Sequence, residues 1–203
     1  MRIVILNGNP NVQNGAFDAY LSQLADVLTQ RGHQATALPL RDMEIQHCLG
    51  CWGCWVRTPG ECVIEDDSAD VARAVINADF VLFASPLSMG FLSATLKRTM
   101  DKLIPLVHPY MAEDQGEVHH LARYEAYPLA GLLLAKGDDT DDQDVQIVSD
   151  IFSRTMLNFK SQRAFTKLID DPVDAVADAI VSAERQPDWA PPRSPTAAIP
   201  GLH

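Results

Sequence analysis

The sequence predicts an α/β protein, a parallel sheet of five strands with helices on both faces. Short apolar runs alternate with amphipathic stretches along the whole chain, which is the pattern of successive βα units. Two of the runs, Arg2 to Leu6 and Asp79 to Ala84, read as buried strands, the second being the clearest in the chain. The length of 203 residues suits one ordinary domain with a sizeable core.

Each element follows from a local signal. The first strand, Arg2 to Leu6, leads through Asn7-Gly8-Asn9-Pro10 into a helix from about Ala16 to Arg31, which Gly32 stops. Gln34 to Leu40 is the second strand, and a cysteine-bearing loop fills the connection after it. A helix near Ser68 to Asn77 leads into the third strand, Asp79 to Ala84, which Ser85-Pro86 ends. A helix follows through about Ile104, and Pro105 to Tyr127 reads as an irregular or inserted excursion. Pro128 to Ala135 is the fourth strand, Asp142 to Asn158 a helix, Arg163 to Ile169 the fifth strand and Val173 to Glu184 the last helix. Residues 1–185 are therefore read as one domain and 186–203, with five prolines and little periodicity, as a tail without a core of its own.

Composition narrows the function classes. No apolar run is long enough to span a membrane, and the N-terminus runs straight into a strand and loop rather than a signal peptide. A cytoplasmic location is expected, where thiols stay reduced and metal or cluster ligation is favoured over disulfides. The formal charge of −11 disfavours nucleic acid as a partner and reads first as a soluble surface.

The four cysteines of the chain are Cys48, Cys51, Cys54 and Cys62, in the pattern C-x2-C-x2-C-x7-C. Thiolates are soft ligands, so their concentration in one loop points to inorganic chemistry and above all to an iron–sulfur cluster. Three cysteines at x2 spacing match the first part of a bacterial ferredoxin run. Here the fourth comes later, beyond Thr58-Pro59-Gly60, a turn-forming triplet suited to bringing the chain back. Zinc is the main rival, although its sites usually separate two C-x2-C pairs by a longer segment. A disulfide pair, or four small buried hydrophobes, are the remaining readings.

In an open parallel sheet, ligands bind beyond the carboxyl ends of the strands, at the topological switch point. The loop after the first strand carries Asn9, Pro10, Asn11, Asn14, Gly15, Ala16 and Phe17. Leaving a strand and entering a helix, it can converge several N–H groups on an anion, or it can be an ordinary βα turn. It is neither a Walker A loop nor G-x-G-x-x-G, which argues against a standard dinucleotide fold. The loop after the third strand carries Ser85, Pro86, Leu87, Ser88, Met89 and Gly90. Such a stretch can present backbone donors to a planar heteroaromatic ring, with Met89 or Phe91 packed against it; otherwise it is a helix entry with Ser88 or Ser93 as cap.

These features together resemble the flavodoxin-fold iron–sulfur flavoproteins and their relatives among the NAD(P)H-dependent FMN reductases. The resemblance rests on Gly8-Asn9-Pro10, on Ser85-Pro86 through Gly90, and on the stretch from Cys48 through Asp67. It covers roughly the first half of the chain, the later strands matching in pattern only. The resemblance implies a flavodoxin-like, doubly wound sheet with FMN at the strand ends, its phosphate on the first loop and its isoalloxazine ring against the second. It implies a [4Fe–4S] cluster on the four cysteines and subunits paired as a dimer or tetramer. The reaction implied is electron transfer from NAD(P)H or a reduced carrier to a small-molecule or protein acceptor. Asn9, Asn11 and Ala16-Phe17 stand where the family commonly carries Ser, Arg and Thr, so backbone amides and Asn side chains would carry the phosphate. Trp52 and Trp55 are bulky insertions able to shield a cluster or to cover a cluster-free loop. The alternatives are a cluster-free NAD(P)H:FMN or quinone reductase, and a zinc-stabilised binding module with no redox role.

No acid–base residue is nominated as catalytic, because the flavin carries the hard chemistry. His108, His119 and His120 offer a metal site but read better as surface histidines in an irregular segment. Asp138-Asp139 and Asp141-Asp142 lack EF-hand spacing and read as a solvated turn and a negative helix N-terminus. Contact with a nicotinamide phosphate is one reading of Lys97 and Arg98, and an exposed helical face explains them equally well.

Overall fold

The computed structural model describes residues 1–114 and 116–183. The strands β1 (Arg2–Asn7), β2 (Gln34–Pro39), β3 (Phe80–Ser88), β7 (Leu129–Ala135) and β8 (Arg163–Leu168) form one parallel sheet in the order β2-β1-β3-β7-β8. The helices are α1 (Gly15–Gln30), α2 (Gly53–Val56), α3 (Ser68–Ile76), α4 (Ala94–Asp101), α5 (Asp142–Asn158) and α6 (Val173–Val181). The short β4 (Phe91–Leu92) folds back antiparallel on β3, and β5 (Val107–Asp114) pairs with β6 (Glu117–Ala122) as a separate hairpin. This is the expected flavodoxin-like, doubly wound α/β architecture.

Strand side chains point alternately to opposite faces, and here both faces are buried. Val4, Leu6, Val81, Phe83, Leu132 and Leu134 pack under α3, α4 and α5. Ile3, Ile5, Phe80, Leu82 and Leu133 pack under α1 and α6. Gly131 is required in β7 because a Cβ there would stand 2.8 Å from both Phe80 and Phe165, whose rings stack across the strand at 5.8 Å. The chain runs outward from β1 to β2 and then crosses back to β3. The loops after β1 and β3 are therefore neighbours at the switch point, where Asn7 is paired with Ala84.

Three expectations change. The third strand does not stop at Ser85-Pro86 but continues to Ser88, paired to β7 as far as Pro86–Ala135. Proline is tolerated because its missing N–H faces the β1 side, where pairing has already ended at Ala84. The expected irregular excursion at 105–127 instead holds, among its described residues, a 3₁₀ turn at Ile104–Leu106 followed by the β5–β6 hairpin. The last helix ends at Val181, while Glu184 and the tail 186–203 lie outside the described residues. No helix among the described residues is long and apolar enough to cross a membrane.

Candidate functional site

The loop after β1 is built from asparagine side chains. Asn9 is fully buried. Its N–H donates to Asn7 Oδ1 at 3.0 Å, and its amide donates to Asn14 O at 3.2 Å and to Asp18 Oδ1 at 3.1 Å. The N–H of Asn11 donates to Asn9 Oδ1 at 3.0 Å, and that of Gln13 to Asn11 Oδ1 at 2.9 Å. These Asx contacts fix the loop's curvature. They also mean that Asn9 spends its side chain on the loop itself. At the N-cap of α1, Asn14 makes no side-chain capping bond. The first-turn N–H groups, which have no partner within a helix, are thereby left to an outside acceptor. Gly15 adds room, with nothing within 4 Å of where a Cβ would stand, whereas Phe17 turns fully into the core and offers only its backbone. Pro10, Asn11 and Ala16 are exposed.

Arg41 lies beneath this loop, a residue sequence reading did not single out. Its Nη1 is 2.8 Å from Asp18 Oδ2 and donates to Asn9 O at 3.4 Å. Burial works to raise the Asp18 pKa, but hydrogen bonds from Asn7, Asn9 and Arg41, with the guanidinium charge, outweigh it and hold the carboxyl below its ordinary value. The carboxylate of Asp18 is thus neutralised locally and does not oppose an anion at the helix end.

The segment 85–90 is a hairpin tip rather than a loop entering a helix. Met89 and Gly90 are the two residues between the pairs Leu87–Leu92 and Ser88–Phe91, and both have positive φ, 52° and 70°. Two positive φ values in a two-residue connection match the twist of a tight hairpin. Methionine in that conformation is strained, and its side chain is 91% exposed. Ser85 is fully buried. Its Oγ accepts from Ser93 N at 2.9 Å, and Ser93 Oγ in turn donates to Gly8 O at 2.5 Å while accepting the capping bond from Leu96 N. Ser93, not Ser88, is the cap of α4, and it ties the two loops together. Gly8 permits the approach, since a Cβ there would be 2.6 Å from Leu96 Cβ and 2.9 Å from Ala84 O.

The cysteine loop folds through left-handed residues, Gly50 at φ 59° and Trp52 at φ 62°, into the single turn α2. Thr58-Pro59-Gly60 then reverses the chain, with Gly60 N donating to Cys54 O at 3.0 Å and Glu61 N to Thr58 O at 2.9 Å. The returning limb packs so tightly that a Cβ on Gly53 would be 2.5 Å from Val63. Cys48 and Cys51 are exposed, Cys62 is half-buried and Cys54 is buried. Burial, together with the neighbouring Cys62, Cys48 and Cys51, pushes the Cys54 thiol up. All four cysteines line one largely apolar cavity of about 560 Å³. Among the described residues, no three His, Cys, Asp or Glu side chains converge tightly enough to hold a single metal ion. Trp55 closes the cavity's edge, its Nε1 donating to Val107 O at 2.9 Å and its ring lying 5.4 Å from Trp52 and 5.0 Å from His120.

The two regions share a wall. Phe91 and Leu92, which pair with the end of β3, also line the cysteine cavity. Behind Cys62 lies a second residue that sequence reading missed. Lys102, with its side chain 1% exposed, reaches Cys62 Sγ at 3.1 Å and Asp66 Oδ2 at 3.0 Å. Asp66 also accepts from the N–H groups of Gln46 and Ser68. Burial works to raise its pKa, but these hydrogen bonds and that of Lys102 outweigh it and hold the carboxyl at about 2. Burial likewise works to lower the Lys102 pKa, and its bonds to Cys62 and Asp66 keep it above the ordinary lysine value. Only tertiary folding brings these residues together, so no local pattern marks Lys102.

The histidines depart from the expectation of surface residues. His119 is buried and paired with Glu117 at 3.2 Å, while His120 packs on Trp55. Being adjacent on one strand, they point to opposite faces and do not form a joint metal site. Asp141 and Asp144 form a capping box at the N-terminus of α5, as the negative helix start implied. Lys97 pairs with Asp101 at 2.6 Å on the exposed face of α4 and borders the cysteine cavity.

Comparison with known proteins bears on the family and the fold. The family model "NADPH-dependent FMN reductase" matches residues 1–149. An iron–sulfur flavoprotein of Archaeoglobus fulgidus is 30% identical over 102 residues, 50% of this chain and 48% of that protein. The chain spans about half the length of the curated relatives it matches. Among solved structures, an NADH:FMN oxidoreductase superposes with a TM-score of 0.56 at 16% identity, covering 92% of this chain and 91% of that one. An NAD(P)H:quinone oxidoreductase of Methanothermobacter marburgensis gives 0.59 at 16% identity, covering 90% and 95%. Likeness at that identity bears on the fold alone.

Proposed function

The chain belongs to the NADPH-dependent FMN reductase family, and on that premise we propose that it passes electrons from NAD(P)H or a reduced carrier to an acceptor through a [4Fe–4S] cluster held by Cys48, Cys51, Cys54 and Cys62. The observation that carries the reading is the shared wall. The hairpin that follows β3 borders the cysteine cavity on one side and the β1 loop, through Ser93 and Gly8, on the other.

For FMN, the fit is supported by the uncapped N-terminus of α1 and the open space at Gly15. The backbone of Asn14, Gly15, Ala16 and Phe17 would hold the phosphate, with Pro10 and Asn11 bordering it and Asn9 shaping the loop from within. The backbone from Pro86 to Gly90 would meet the isoalloxazine ring, with Met89 free to cover it and Ser85 holding the strand end in place. When bound, FMN supplies the hydride and single-electron chemistry that no side chain here provides. The protein positions the ring and excludes water from it.

For the cluster, the fit is supported by four thiols around one cavity. Tetrahedral zinc requires four ligands at about 2.3 Å from one centre. The four thiols line one cavity, and their C-x2-C-x2-C-x7-C spacing suits a cluster better than the two separated C-x2-C pairs usual for zinc. Trp52 and Trp55 would shield it from water. The second reading, a cluster-free flavin or quinone reductase, is favoured by the fact that no thiol takes part in fixing either flavin loop.

Anaerobic reconstitution with iron, sulfide and FMN separates these readings. The proposal expects about four irons and one FMN per chain. FMN without iron would leave the cluster-free reading, and stoichiometric zinc without flavin absorbance would remove both.

A further inference from the structure

A fully buried lysine is uncommon unless its charge is answered, and Lys102 is answered twice. Its ammonium donates to Cys62 Sγ at 3.1 Å and lies 3.0 Å from Asp66 Oδ2. Asp66 is not a free counter-ion recruited for the purpose. Its Oδ1 accepts from Ser68 N at 3.0 Å and its Oδ2 from Gln46 N at 2.9 Å. It therefore bolts the start of α3 to the irregular segment just before Cys48, and in doing so fixes the direction from which the ammonium approaches the sulfur. Neutralising Asp66 alone would not require the lysine to touch a thiol. The contact places one positive charge and one N–H donor on one of the four cysteines and on none of the others.

We infer that Lys102, oriented by Asp66, is a positioning residue that hydrogen-bonds the Cys62 ligand sulfur and makes the cluster easier to reduce. This rests on the reading of the four cysteines as cluster ligands. Hydrogen bonds to ligand sulfurs and nearby charge are among the main determinants of cluster potential. Reduction adds one negative charge beside the ammonium, so the contact is stronger in the reduced state than in the oxidised one. A purely structural ion pair would hold the loop without biasing that equilibrium.

The test uses the full chain, anaerobically reconstituted, with the double variant Asp66→Asn, Lys102→Met. Removing both partners avoids stranding a buried charge, and in Asp66→Asn the amide oxygen keeps one of the two backbone N–H donors. The readouts are iron per chain and the cluster midpoint from a redox titration followed by electron paramagnetic resonance. The expectation is unchanged iron with about a tenfold lower reduced-to-oxidised ratio at the wild-type midpoint, which for a one-electron couple is about 59 mV. Unchanged iron with an unchanged midpoint would overturn the role of Lys102 and leave the cluster reading standing. Loss of iron from a folded double variant would overturn it too, assigning the pair to assembly instead. Absence of iron from the reconstituted wild type would overturn both.

Discussion

The β1 loop with the β3–β4 hairpin and the cysteine loop lie at the same end of the sheet, and they are held in different ways. The first region is an extension of the strands. Its backbone is set by ladder pairing, by Asx contacts through Asn7, Asn9 and Asn11, and by the Ser85–Ser93–Gly8 chain of hydrogen bonds. The second follows the edge strand β2 and owes its path to left-handed residues, one reversing turn and the buried Lys102–Asp66 pair. On the proposed reading, a flavin site of the first kind comes with the fold. A cysteine site of the second kind is added to it, so the two should respond differently to substitution.

The largest effect is expected at the added site. Lys102→Met alone leaves the Asp66 carboxylate buried without its cation and should cost about 3–5 kcal/mol in urea unfolding. FMN retained by the fraction that stays folded would sharpen the contrast, and an unchanged midpoint would break it. At the first region, Gly8→Ala forces a Cβ against Leu96 and the Ala84 carbonyl. Overpacking there should cost up to about 3 kcal/mol and weaken FMN binding, while iron uptake stays as in the wild type. Equal losses of both cofactors would show that the two regions are not separable.

A pH series gives a smaller effect. The Asp66 carboxyl has its folded pKa depressed from 3.8 to about 2. Its contribution is therefore present above pH 4 and lost as pH falls through about 2, an amount on the order of 2 kcal/mol. Urea unfolding at pH 5 and pH 2.5 should show this drop in the wild type and a shallower one in Asp66→Asn. The smallest change is at the hairpin tip. Met89→Gly removes a side chain held at φ 52° and should stabilise by about 1 kcal/mol, with slower FMN reduction as the check on whether the exposed thioether covers the ring.

The same contrast explains what the sequence could disclose. β1, β3 and β7 were legible because strands buried on both faces are continuous apolar runs, and the loops after β1 and β3 were legible as their sequels. The cysteine spacing marked its own loop, and Thr58-Pro59-Gly60 marked the reversal. The β5–β6 hairpin was not legible, because Pro109 interrupts β5 and a register shift between Val107 and Met111 absorbs it. The extension of β3 past Pro86 depended on β1 ending at Asn7, a fact of the sheet and not of the local sequence. Arg41, Ser93 and Lys102 act through partners distant in the chain, Asp18, Gly8 and Cys62 respectively. No periodicity or spacing records contacts of that kind.

The central claim is that one fold carries two separable sites, a flavin rim at the switch point and a cluster held by the cysteine loop. Its most direct measurement is the iron and FMN content of anaerobically reconstituted Cys51→Ser beside the wild type. The account predicts about four irons and one FMN in the wild type, and iron lost with FMN still stoichiometric in the variant. Iron unchanged in Cys51→Ser, or FMN lost together with the iron from a folded protein, would contradict it.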